Sequence, residues 1–133
     1  MSTTEVIVES LERASEIGGD PTAAIYARYF AVCPESNQLM GHLDRHMQGR
    51  MLTEVLRLLM SEDSTADADY LRFETNNHAG YGVKPHMYTN LLGAVRDTVR
   101  TTLGDEWHDR FSASWNDRID ALLARLDSAQ RSG

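Results

Sequence analysis

Of the five histidines in the chain, His42, His46, His78, His86 and His108, only His78 stands in a setting that suggests chemistry. It ends a stretch of helical pattern and is followed by Ala79-Gly80-Tyr81-Gly82-Val83-Lys84, a turn that leads into Pro85-His86-Met87-Tyr88, where proline opens the next helix. A neutral imidazole in such a corner is a good ligand for a transition metal, and its second ring nitrogen then needs a partner to set tautomer and orientation. Without a supporting pattern, a lone histidine at a helix end reads as a surface residue or a cap. Glu74, four residues before His78, lies on the same helix face and is one possible partner.

The elements that would position this corner are helical. Apolar residues recur every three or four positions in almost every segment and β-branched alternation is missing, which predicts an all-α chain. A first helix is expected from about Thr3 to Ile17, burying Ile7, Leu11 and Ala14, and stopped by Gly18-Gly19. Asp20-Pro21 supplies a cap and a first-turn proline for a second helix through Ile25, Tyr26, Tyr29 and Phe30, ending near Cys33-Pro34. A short helical turn over Pro34 to Met40 precedes a longer helix over Leu43 to Met60, with Met47, Met51, Leu52, Val55, Leu56 and Leu59 on its apolar side. Ser61 to Asp67 reads as a loop, Ala68 to Asn77 as a weakly amphipathic helix, and Pro85 to Leu103 as a helix with Tyr88, Leu91, Leu92, Val95 and Val99 in one stripe. After Gly104-Asp105, the spacing of Trp107, Phe111, Trp115, Ile119, Leu122 and Leu126 predicts the most strongly amphipathic helix of the chain.

With 133 residues, 41% hydrophobic and 25% charged, the chain suits one domain around one core. A formal charge of −7 argues against nucleic acid or an anionic membrane as the main partner, because both require a basic surface. Cys33 is the only cysteine, so no internal disulfide can form. No apolar run long enough to span a bilayer and no secretory signal is evident, and a cytoplasmic location is expected.

Several blocks, in order, resemble the bacterial single-domain hemoglobins and the globin domain of flavohemoglobins. Ile25-Tyr26-Ala27-Arg28-Tyr29-Phe30 with Pro34-Glu35 and Leu39-Met40 is similar to their second and third helices, Gln48-Gly49-Arg50-Met51-Leu52 to their distal helix, and the His78 to Tyr88 stretch to their proximal corner. Trp115 falls where those families place a tryptophan in the last helix. The resemblance runs from about residue 20 to 126 and implies a single globin domain over residues 1–133, with helices crossing around a heme pocket.

It further implies heme b with His78 on the iron, and Tyr26 and Gln48 as hydrogen-bond donors to a diatomic ligand on the opposite side. Leu52, one turn beyond Gln48, and Met40 would shape the pocket, and Val83, Tyr88 and Leu91 complete the implied cofactor contacts. His46 is the one rival on the distal side, but it lies two residues from Gln48 and so points away from it. The chain departs from the pattern in three places. Met40 occupies the position of the heme-stacking phenylalanine; a thioether fills that space without offering a flat face. Glu74 replaces an apolar residue of the proximal side. It could accept a hydrogen bond from His78, or a local break of the helix could leave it in solvent and set Phe73 or Leu71 under the heme; the cost of burying an unpaired carboxylate favours the break. Tyr88 matches the tyrosine of the flavohemoglobin proximal network, whereas the glutamate of that network falls near Gln130, which weakens the case for peroxidase-like activation.

The resemblance therefore implies reversible binding of O2, with NO and CO as further ligands. Conversion of nitric oxide to nitrate would use electrons from a separate reductase, since no flavin or nicotinamide module follows the helical segment. Gas or redox sensing, and a heme-free interaction module that kept the scaffold, are the alternatives. A monomer or a homodimer is compatible with the pattern.

Overall fold

In the computed structural model, residues 2–40, 43–61, 68–80 and 82–132 are described; His42 and most of the expected 61–67 loop lie outside them. The described residues are all-helical, in the order α1 (Thr3–Gly18), α2 (Thr22–Val32), α3 (Pro34–Met40), α4 (Arg45–Met60), α5 (Ala68–Gly80), α6 (Pro85–Leu103), a 3-10 turn (Gly104–Glu106) and α7 (Asp109–Ser132). No helix among them is long and apolar enough to cross a membrane.

Helix starts follow local polar chemistry. Ser2 Oγ accepts from the Glu5 amide at 3.1 Å while the Glu5 carboxylate accepts from the Ser2 amide at 3.4 Å, a reciprocal cap on α1. Asp20 Oδ1 accepts from both the amide and the hydroxyl of Thr22, at 3.0 and 2.7 Å. This turn delays α2 to Thr22 and leaves Pro21 before the helix rather than in its first turn. Asp44 Oδ1 accepts from the Met47 amide at 2.8 Å, so α4 begins at Arg45, two residues later than the apolar pattern suggests. At the other end of α1, Gly19 adopts φ 72°, a left-handed conformation that favours glycine.

The last helix is the spine. α7 packs on α1, α4, α5 and α6, and α6 packs in turn on α1 and α2. Trp115, fully buried, donates its Nε1–H to Ser10 Oγ at 2.9 Å, which satisfies the indole polar atom where α7 crosses α1. One turn on, the buried Arg118 donates to the Leu59 and Ser61 carbonyls at 2.9 and 2.7 Å and to Thr4 Oγ1 at 2.8 Å. It thereby caps the free carbonyls at the end of α4 and ties them to α1. Both α4 and α5 rest on α7 and do not pack closely on one another. The space between them becomes a cavity.

Replacing Arg118 with methionine keeps the apolar stem but leaves those carbonyls without a charged donor. A loss of about 2–3 kcal/mol of stability is expected from urea unfolding. Gly49 sits within α4 where an added Cβ meets nothing within 4 Å. Gly49→Ala should therefore raise stability by about 0.5–1 kcal/mol in the same assay.

Candidate functional site

The cavity has a volume of about 550 Å³ and is lined by residues of α2 to α7 and by Val83 of the turn before α6. Its α4 wall is made by Met47, Arg50, Met51, Glu54, Val55 and Leu58, and its α5 wall by Tyr70, Leu71, Glu74, Thr75 and His78. Leu122 and Leu126 of α7 line it where the two helices converge on the spine. The recurrence at three and four residues on each wall is that of one helix face.

His78 belongs to the last turn of α5, and the turn that follows holds it in place. The Val83 amide donates to the His78 carbonyl at 3.0 Å, and Gly82, at φ 91°, allows the chain to reverse there. Pro85 then starts α6 so that Tyr88 returns to the histidine, with His78 Nδ1 3.2 Å from the Tyr88 hydroxyl. The other ring nitrogen, Nε2, lies 3.5 Å from Glu74 Oε2. The two contacts together select a tautomer in which Nε2–H faces the carboxylate and Nδ1 accepts from the phenol. A hydroxyl both donates and accepts, so Tyr88 can also hold the opposite tautomer, the one that frees Nε2 for a metal.

Glu74 thus sits in the cavity wall on an unbroken α5. The expected local break does not occur, because the helix continues through His78 to Gly80. The imidazole and the rim give the carboxylate a partner and partial solvent, which removes the cost that argued against its placement there. Leu71 is buried beside it; the side chains of Phe73 and Gln130 lie outside the described residues.

Across the cavity, Tyr26 is buried and its hydroxyl donates to the main-chain carbonyl of Gln48 at 3.0 Å. Tyr29 lines the same wall, with Ser36 Oγ at 2.6 Å from its hydroxyl. Burial, then the neighbouring Tyr29 phenol, push the Tyr26 phenol up to about 12. Burial, then the charge of Glu74 and the Tyr29 phenol, do the same for Tyr88. Both phenols are therefore proton donors throughout the physiological range. Tyr70 is also raised, by burial and then by Glu54, whose Oε2 its hydroxyl meets at 3.2 Å.

The cavity gathers Tyr26, Met40, His78, Val83, Tyr88 and Leu91 from the residues anticipated from sequence, and Gln48 and Leu52 are not in its wall. Leu52 is buried toward α2, in the wall of a smaller recess of about 390 Å³ that also takes His46 and Arg45. Gln48 contributes its carbonyl through Tyr26 and not its amide side chain to the wall. The reason is register: α4 carries adjacent apolar stripes at 51 and 52, 55 and 56, 58 and 59, and only the first of each pair together with Met47 points at the cavity, Leu58 included. Met47, Arg50, Met51, Glu54 and Tyr70 are wall residues that sequence reasoning did not assign to the site. The one-turn spacing of Met47 and Met51 was the available signal. Of the remaining histidines, His86 Nε2 lies 3.2 Å from Glu35 Oε1 on the surface and His108 stacks on Phe111.

No protein-family model matches the chain, and no curated protein matches it at a significant level.

The raised phenols predict an alkaline limit to stability. In the unfolded chain they ionise near their ordinary value of 10.0, whereas Tyr26 and Tyr88 in the fold hold their protons to about 12. Between those values the folded state keeps protons that the unfolded state has lost, so stability falls as pH rises through that window. Urea midpoints measured across it should decline less steeply for a Tyr26→Phe/Tyr88→Phe variant than for the parent chain.

Proposed function

We propose that the cavity takes heme b, with His78 as the axial ligand of the iron, and that the protein is a single-domain globin that binds O2 and other diatomic ligands. The observation that carries this reading is the pairing of His78 Nδ1 with the Tyr88 hydroxyl in the wall of a largely apolar cavity, with the protonated Tyr26 phenol in the same cavity. A ligating histidine needs such a partner on its other nitrogen. The volume falls in the range of about 300–1,000 Å³ typical of small-molecule sites. Arg50, the one arginine among the described wall residues, is available to the carboxylates at the edge of the group.

The residues present fit heme with one adjustment. Glu74 stands 3.5 Å from Nε2, at the outer limit of a hydrogen bond, and its carboxylate must turn aside when that nitrogen is used. Heme, when bound, supplies reversible binding of diatomic gases and one-electron chemistry. The chain's own groups do the rest. Tyr88 orients the imidazole, and the apolar wall formed by Met51, Val55, Leu58 and Leu91 excludes water. Tyr26, whose hydroxyl donates to the Gln48 carbonyl, would turn that donor to a bound ligand. With the Gln48 side chain outside the wall, Tyr26 is the donor on which retention of oxygen rests. Nitric oxide dioxygenase activity with a separate reductase belongs to the same reading, which a phenol donor to bound oxygen favours. The heme-free alternative is the weaker reading, because apolar space that side chains leave unfilled lowers stability unless a ligand occupies it.

Addition of hemin to the purified protein should produce a Soret band that shifts on reduction and again with carbon monoxide, and His78→Ala should abolish or alter it. Absence of any Soret band in the parent protein would sink the proposal. Tyr26→Phe should speed oxygen dissociation by about 5-fold or more, the equivalent of about 1 kcal/mol for one hydrogen bond. Gln48→Ala should change the rate by less than about twofold, as for a side chain outside the site.

A further inference from the structure

We infer that Met47 supplies a second axial ligand, so that the resting iron is held between the His78 imidazole and the Met47 thioether and diatomic ligands bind by displacing the sulfur. This rests on the heme reading above and goes beyond it, since that reading requires only one protein ligand.

Tyr70 marks where α4 and α5 meet. Glu54 Oε2 meets the Tyr70 hydroxyl at 3.2 Å, and the Arg57 guanidinium lies over the Tyr70 ring, 5.4 Å from its centroid. Late α4 is therefore beside early α5, and from that contact the α4 wall of the cavity runs back to Met47 while the α5 wall runs forward to His78. Two turns back along α4 from Glu54 is Met47, and two turns forward along α5 from Tyr70 is His78. Met47 is thus the α4 wall residue farthest along the chain from that contact, as His78 is on α5, and both line the cavity.

Three further observations favour a ligand over mere packing. The Tyr26 hydroxyl grips the Gln48 carbonyl, which fixes the first turn of α4, and with it Met47, at the cavity wall. Met47 is a large apolar side chain left 41% exposed, so the core does not immobilise it, and its unbranched chain can rotate inward. The sulfur of Met87, also in the wall, already accepts from the Lys84 amide at 3.4 Å and lies buried among core residues. Thioether sulfur is a natural partner of heme iron opposite histidine, and it raises the reduction potential.

The test uses the full chain loaded with hemin, in the parent form and as Met47→Leu and Met51→Leu, with circular dichroism to establish that each variant is folded. The parent should show six-coordinate low-spin spectra in both oxidation states, with the far-red band of sulfur-ligated ferric heme. Met47→Leu should lose that band and become five-coordinate when reduced, and Met51→Leu should keep it. Carbon monoxide should bind the reduced Met47→Leu protein at least roughly tenfold faster, because no fraction of the iron is then blocked by sulfur. A parent protein with a Soret band that is five-coordinate when reduced and unchanged by Met47→Leu would overturn the inference while leaving the heme reading intact. Loss of the sulfur band in Met51→Leu alone would also overturn it. No Soret band in the parent would instead remove the heme reading, and this inference with it.

Discussion

The architecture depends on how α7 holds its neighbours. Arg118 is a charged side chain in the interior, tolerable there because the Leu59 carbonyl of α4, the Ser61 carbonyl just past its end and the Thr4 hydroxyl receive its hydrogen bonds. It secures the end of α4 to the spine, while Trp115 and its bond to Ser10 secure α1. α5 is held to α7 as well. α4 and α5 meet each other through Tyr70, whose hydroxyl reaches Glu54 and whose ring lies under Arg57, and the cavity lies between their walls.

Within that space the polar groups are arranged by short chain segments. His78 and Tyr88 are only ten residues apart, and the turn between them, reversed at Gly82 and restarted at Pro85, brings imidazole and phenol together. Glu74 approaches the same ring from one turn earlier on α5. The histidine is therefore bracketed on both nitrogens by residues of its own neighbourhood, which limits its rotation and makes its two tautomers a choice between a carboxylate and a phenol. The opposite wall works differently. Tyr26 meets α4 across twenty-two positions of sequence through a main-chain carbonyl, a bond that depends on helix placement and not on the identity of the side chain at 48.

The cavity also contains more ionisable groups than an apolar ligand alone would require. After burial, Glu54 and Glu74 raise the Tyr70 phenol, and Glu74 and Tyr29 raise the Tyr88 phenol. Burial raises these phenols, so the site presents hydroxyl donors beside two partly exposed carboxylates. That combination suits the orientation of a polar or charged group within an otherwise greasy wall.

The helix ends were legible because capping and turn chemistry is local: Gly18-Gly19, Gly104 and Pro85 act on their own segments, and α1, α3 and α6 fall within a residue of the pattern. The His78 to Tyr88 corner was legible for the same reason, since a histidine, a turn and a returning tyrosine lie within eleven residues. The α4 wall was not. Adjacent apolar residues along α4 form two stripes of similar hydrophobicity, one facing the cavity and one turned to other helices, and a periodicity of three or four cannot say which is which. Only the packing of α4 against α2 and α7 decided that Met47 and Met51, and not Gln48 and Leu52, face the cavity. One residue of register on a helix is a rotation of about 100°, enough to exchange an amide for a thioether at the site.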